Sequence, residues 1–183
     1  EDLELYNMNK NAFYVNENIN LNDSSQDDRH MTNRIAIIGP KYRVEKSVFK
    51  SSHQIMRQST NNTGNMVFAY AITHQIGLTD NVHGWGSDPL FIKKNYDKIV
   101  IAAANQIQPA SRNFSPLGTL NNLLKKADLP IAVIGLGVQA NLNENLDDID
   151  PNSLKFVQLL KDSQANISVR GKHTGTVLEK LGV

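Results

Sequence analysis

The sequence predicts an α/β protein with a Rossmann-like, doubly wound and mainly parallel sheet. Three observations carry this. Short β-branched apolar runs end in glycine or other small residues, amphipathic helical stretches lie between them, and most of these units recur at about 30 to 35 residues. A strand buried on both faces reads as a continuous apolar run, and parallel neighbours need a helical crossover to join them.

The elements follow in order. Residues 1–33 are rich in Asn, Asp and Ser ("NENINLNDSSQDD") and follow no apolar period, so they are expected to form a polar N-terminal arm ahead of a Rossmann-like domain over 34–183. "RIAIIG" (34–39) reads as the first buried strand, closed by Gly39 and Pro40. From Thr63, the positions Phe68, Ile72 and Ile76 share one helical face, with Gly77 as the stop. "NVHGWGSD" (81–88) reads as a loop holding His83 and the sole Trp, Trp85, either as a mobile lid or sugar platform or simply around a buried indole. "KIVIAAAN" (98–105) is the second strand. "SPLGTLNNLLKKAD" (115–128) is a helix, with Ser115 as N-cap, Pro116 at the first position and Leu117, Leu120 and Leu124 inward. "IAVIGLG" (131–137) is the third strand. "DPNSLKFVQLLKDSQ" (150–164) is a helix whose inward face is Leu154, Val157 and Leu160. "ISVR" (167–170) is the fourth strand, and "HTGTVLEKLG" (173–182) a last helix, with Val177 and Leu181 inward and Gly182 as its cap.

Bulk properties narrow the function. Lys and Arg number 19 against 18 for Asp and Glu, so no basic surplus draws the chain to nucleic acid, and an anion must be held by local groups. The absence of cysteine excludes disulfides and thiolate metal sites and fits a reducing compartment. No run approaches the roughly 18 apolar residues of a membrane span, which implies no integral membrane segment. A soluble, cytoplasmic protein is expected. Neither H-E-x-x-H, G-x-S-x-G nor G-K-[ST] occurs, so metalloprotease, hydrolase and P-loop chemistries have no support and no metal site is expected.

Four stretches are candidates for binding. In "STNNTGNMVFAY" (59–70), Asn62 or Thr63 can cap the helix, and Gly64 and Asn65 open its first turn, where free N–H groups and the helix dipole attract anions; an ordinary cap is the alternative. "IGLGVQA" (134–140) sets Gly135, Gly137 and Gln139 at the carboxyl end of a strand, where open α/β sheets bind ligands. Ala140 breaks the G-x-G-x-x-G pattern, so a standard NAD site is not expected, and a tight turn is the other reading. "AAANQIQPASR" (102–112) offers Asn105 and Gln106 to sugar hydroxyls or, equally, to turn chemistry. "SVRGKHTGT" (168–176) places Arg170 at a strand end, near Lys172, His173 and a possible N-cap at Thr174. A guanidinium there suits a carboxylate or phosphate, although pairing with a neighbouring acid is the alternative.

Taken together, "NNTGNMVFAYAI", "LPIAVIGLGVQA" and "ISVRGKHTGTVLEKLGV", in this order and spacing, resemble the polysaccharide pyruvyl transferase family over about residues 59–183. The resemblance implies the N-terminal half of a GT-B-like fold, with a second α/β domain following Val183. It also implies an enzyme that moves pyruvate from phosphoenolpyruvate, the donor substrate, onto hydroxyls of a sugar or oligosaccharide acceptor as a ketal, without a cofactor, and it is compatible with a homo-oligomer. The family's N-x-G-D turn is met by Asn62, Thr63, Gly64 and Asn65, with an amide for the acid. Its glycine-rich strand end becomes Ala102, Ala103, Ala104 and Asn105. Gly135, Gly137 and Gln139 keep the glycine pair and the polar position, and the R-D-x-x-[ST] element is met by Arg170 and Thr174, with Gly171 replacing the acid. The resemblance therefore implies substrate contacts from these residues and leaves the catalytic acid and base unassigned. A nucleotide-sugar domain and a non-catalytic carbohydrate-binding or assembly module are the alternatives.

Overall fold

The computed structural model describes residues 34–39, 49–58, 62–76, 81–111, 117–139 and 148–183. The expected N-terminal arm, the stop at Gly77, the cap at Ser115 and Pro116, and residues 140–147 lie outside these. The strands are β1 (Ile35–Ile38), β2 (Val82–His83), β3 (Lys98–Ala102), β4 (Asn105–Ile107), β5 (Ile131–Val138) and β6 (Asn166–Val169). The helices are α1 (Ser52–Gln58), α2 (Gly64–Ile76), α3 (Pro89–Asn95), α4 (Leu117–Ala127), α5 (Pro151–Asp162) and α6 (Lys172–Lys180).

All named strand pairs are parallel, as expected. The sheet runs β2-β1-β3-β5, with β6 beyond β5 and β4 beside the end of β5. From β1 the chain moves outward to β2, and from β3 it moves the other way. This topological switch lies between β1 and β3, where open α/β sheets leave a crevice at their carboxyl ends. There Gly39 lets the strands close up, since a Cβ on it would stand 3.0 Å from the Ala102 Cβ.

Side-chain alternation gives the sheet two apolar faces. Ala36, Ile38, Ile99, Ile101, Ile131 and Val133 face the larger core, with Ile92 of α3, Leu120 and Leu124 of α4, and Phe156 and Leu160 of α5. Ile37, Val100, Ala102 and Ala132 face the smaller one, under Ala69 and Ile72 of α2. Helices on both faces make the sheet doubly wound.

The sequence underestimated the number of strands and helices. Among the described residues the sheet has six strands rather than four. β2 was hidden because its two residues sit inside a glycine-rich stretch read as loop. The expected strand over 98–105 breaks after Ala102 and resumes as β4: the Ala103 N–H bonds back to Ile101 O at 3.0 Å, and Gln106 N–H to Ala104 O at 2.8 Å, so the backbone jogs between two parallel segments. α3 begins with Asp88, which accepts from Leu90 N–H at 3.0 Å, followed by Pro89. The same Asp-Pro start opens α5, where Asp150 accepts from Ser153 N–H at 2.8 Å.

On α5, Val157 and Leu160 are buried as expected, but Leu154 is not. Leu154 is 41% exposed, while Phe156 is fully buried. The cause is Ser153, also fully buried: its hydroxyl accepts from Gln108 N–H at 3.1 Å and lies 3.3 Å from the Gln106 carbonyl, tying α5 to β4 and turning Leu154 outward. No helix among the described residues is long and apolar enough to cross a membrane.

Candidate functional site

The carboxyl end of β5 organises the site. Alternation along β5 slips by one residue between Val133 and Leu136, because Gly135 forms a bulge with φ +70°, a left-handed conformation that favours glycine. After the slip, Leu136 and Val138 face the larger core, so Gly137 faces the other side. The two glycines therefore do different work. A Cβ on Gly135 would stand 2.4 Å from Phe68 Cζ, so the bare Cα seats the Phe68 ring of α2. That space is filled by protein rather than open to a ligand.

Gly137 lies between two polar side chains. It is paired with Asn105 of β4 on one side, while its neighbour Leu136 is paired with Val169 of β6 on the other. Across it, Arg170 Nη1 donates to Asn105 Oδ1 at 3.2 Å. A Cβ on Gly137 would stand 2.5 Å from Asn105 Oδ1 and 3.2 Å from Arg170 Cδ. Its φ is not in the left-handed region, so this glycine is required by the crossing of the two side chains and not by the backbone. Both Asn105 and Arg170 are exposed. The two ion pairs found among the described residues, Arg34–Asp97 at 3.1 Å and Lys93–Asp128 at 3.7 Å, do not involve Arg170.

Beyond Arg170 the chain passes Gly171 into α6. Gly171 is the N-cap and supplies no side-chain bond, and a Cβ on either Gly171 or Gly175 would meet nothing within 4 Å. This helix end is open. Thr174 is not the N-cap the sequence suggested: it sits within the first turn, is 5% exposed, and its hydroxyl accepts from Val138 N–H at 3.3 Å. It pegs α6 to β5. Gln139 continues from β5 through its N–H to Ile107 O at 2.7 Å. The structure thus brings together Asn105, Gly137, Gln139, Arg170 and Thr174.

The turn at 62–65 is resolved into a cap. Asn62 Oδ1 accepts from Gly64 N–H at 3.1 Å, Asn62 O from Asn65 N–H at 3.2 Å, and Thr63 O from Met66 N–H at 3.0 Å. Asn62 thus satisfies the Gly64 N–H that the sequence left for a ligand. α2 runs from this turn over Gly135, which sets its amino end toward the carboxyl side of β5.

The stretch around His83 is packed rather than lid-like. His83 Nε2 lies 2.7 Å from the Tyr96 hydroxyl, the two rings meet edge-on at 5.0 Å, and Phe91 closes the group 5.9 Å from His83. Burial raises the pKa of the Tyr96 hydroxyl. Trp85 packs half-buried against the larger core. No group of His, Asp or Glu among the described residues is arranged to hold a metal ion.

The fold and this edge define a class: an open, doubly wound α/β protein that presents a guanidinium, an amide and an uncapped helix start at the carboxyl side of its sheet. Compared with protein-family models, with curated proteins and with solved structures, the chain gives no significant match.

Proposed function

We propose that this chain is a pyruvyl transferase domain that binds phosphoenolpyruvate at the carboxyl edge of β4, β5 and β6, in the cytoplasm, for transfer to sugar hydroxyls. The observation that carries the reading is Arg170, an exposed guanidinium aimed by a neutral amide beside the open start of α6. Phosphoenolpyruvate bears a phosphate and a carboxylate, and planar guanidinium forks and helix N–H groups recognise both. In ketal formation the methylene carbon takes a proton, one acceptor hydroxyl adds to the adjacent oxygen-bearing cationic carbon, phosphate leaves, and a second hydroxyl closes the ketal as both hydroxyl protons are lost. Arg170 would hold the anionic end through these steps.

A second reading, a non-catalytic carbohydrate-binding or assembly module, is favoured by Asn65 and Gly171, which stand where the resembled family carries acids. One calorimetric series separates the readings. Wild type should bind phosphoenolpyruvate, and Arg170→Ala should bind it about 10- to 150-fold more weakly, the loss of one charge-assisted contact. Binding of a sugar without phosphoenolpyruvate would favour the module. Tighter binding of UDP or GDP than of phosphoenolpyruvate would favour a nucleotide-sugar domain.

A further inference from the structure

We propose that Asn105 is a positioning residue for Arg170: it aims the guanidinium without neutralising it, and so reserves the full positive charge for a phosphate- or carboxylate-bearing ligand. This rests on the reading of Arg170 as the anion-binding group. It also moves Asn105 from the ligand, where the sequence placed it, to the protein side of the site.

A flexible, exposed arginine can be fixed in two ways. A carboxylate partner holds it strongly but cancels its charge. A neutral carbonyl oxygen holds it through one N–H and leaves the charge in place. The structure uses the second way. Asn105 Oδ1 takes a single Nη1 donor at 3.2 Å, which leaves the rest of the guanidinium's five N–H groups to a ligand. Neither ion pair among the described residues draws on Arg170. The geometry also explains Gly137. The Asn105 amide and the Arg170 stem meet over its bare Cα, and a methyl group 2.5 Å from Asn105 Oδ1 would push the amide off the guanidinium.

Two near-isosteric replacements make the charge argument testable, because it and a purely structural role predict opposite orders. Asn105→Asp keeps the acceptor but forms an ion pair with Arg170. Asn105→Leu keeps the volume, removes the acceptor and leaves the charge. Titration with phosphoenolpyruvate and with inorganic phosphate should show Asn105→Asp about 10- to 100-fold weaker than wild type, with binding that has lost much of its sensitivity to salt. Asn105→Leu should be only about 2- to 10-fold weaker and still salt-sensitive, and Gly137→Ala should behave like it. Thermal melts establish that each variant is folded. Asn105→Asp binding as wild type does, or more tightly than Asn105→Leu, would overturn the proposal while leaving Arg170 as the anion group. Failure of wild type to bind either anion, or an Arg170→Ala variant that binds normally, would overturn the functional reading and this inference together.

Discussion

Replacing Gly135 by alanine tests whether this glycine serves packing. Two costs arise at once. At φ +70° an L-residue is strained by roughly 1 to 2 kcal/mol. The new methyl would also stand 2.4 Å from Phe68 Cζ and 3.0 Å from Phe68 Cε2, and forcing such a contact in a packed layer costs about 1 to 3 kcal/mol. Alanine recovers about 0.4 to 1 kcal/mol by restricting the unfolded chain. The expected net loss is about 1 to 4.5 kcal/mol, read by urea unfolding with an unchanged m-value. The two costs separate in a double-mutant cycle: in a Phe68→Ala background the contact term vanishes and only the strain remains, so the Gly135→Ala loss should fall by about 1 to 3 kcal/mol. A loss below about 1 kcal/mol for Gly135→Ala, or one unaffected by removing the Phe68 ring, would refute the assignment.

Other perturbations have equally definite outcomes. Asn62→Ala should lower stability by about 0.5 to 2 kcal/mol through loss of the cap on Gly64, measured by chemical denaturation. Ser153→Ala strands the Gln108 N–H that now bonds the hydroxyl at 3.1 Å and should cost about 1 to 3 kcal/mol, seen as a lower melting temperature. The bidentate Arg34 hydrogen bonds lower the pKa of the Asp97 carboxyl, so their stabilisation is complete above the ordinary carboxylate range and disappears as pH falls through the lowered value. The melting-temperature gap between wild type and Asp97→Asn should therefore close on acidification and shrink with salt, the pair being exposed.

The central strands were legible because burial on both faces writes them as unbroken apolar runs, as in "RIAIIG" and "IAVIGLG". What stayed hidden had weaker or conflicting signals. Two residues of β2 cannot establish a period, and α3 is short, although its Asp-Pro start matched that of α5. On α5, Val157 and Leu160 were placed correctly, but Leu154 was not, because Ser153 gave no hydropathy signal while its hydroxyl tied the helix to two backbone groups.

At the site, the sequence marked Arg170, Asn105 and both glycines as chemistry-bearing positions but could not assign their partners. That Asn105 reaches across Gly137 to Arg170 depends on the jog at Ala103 and Ala104, which brings a later segment beside the end of β5. Phe68 likewise meets Gly135 only because α2 crosses the sheet to β5. Both are long-range pairings that local pattern does not encode.

The most direct test of the central claim is to map bound phosphoenolpyruvate onto the chain by backbone amide chemical shifts. The account predicts saturable shifts concentrated at Gly137 to Gln139 and Arg170 to Gly175, absent in Arg170→Ala. Shifts that cluster elsewhere, or that persist without the guanidinium, would contradict it.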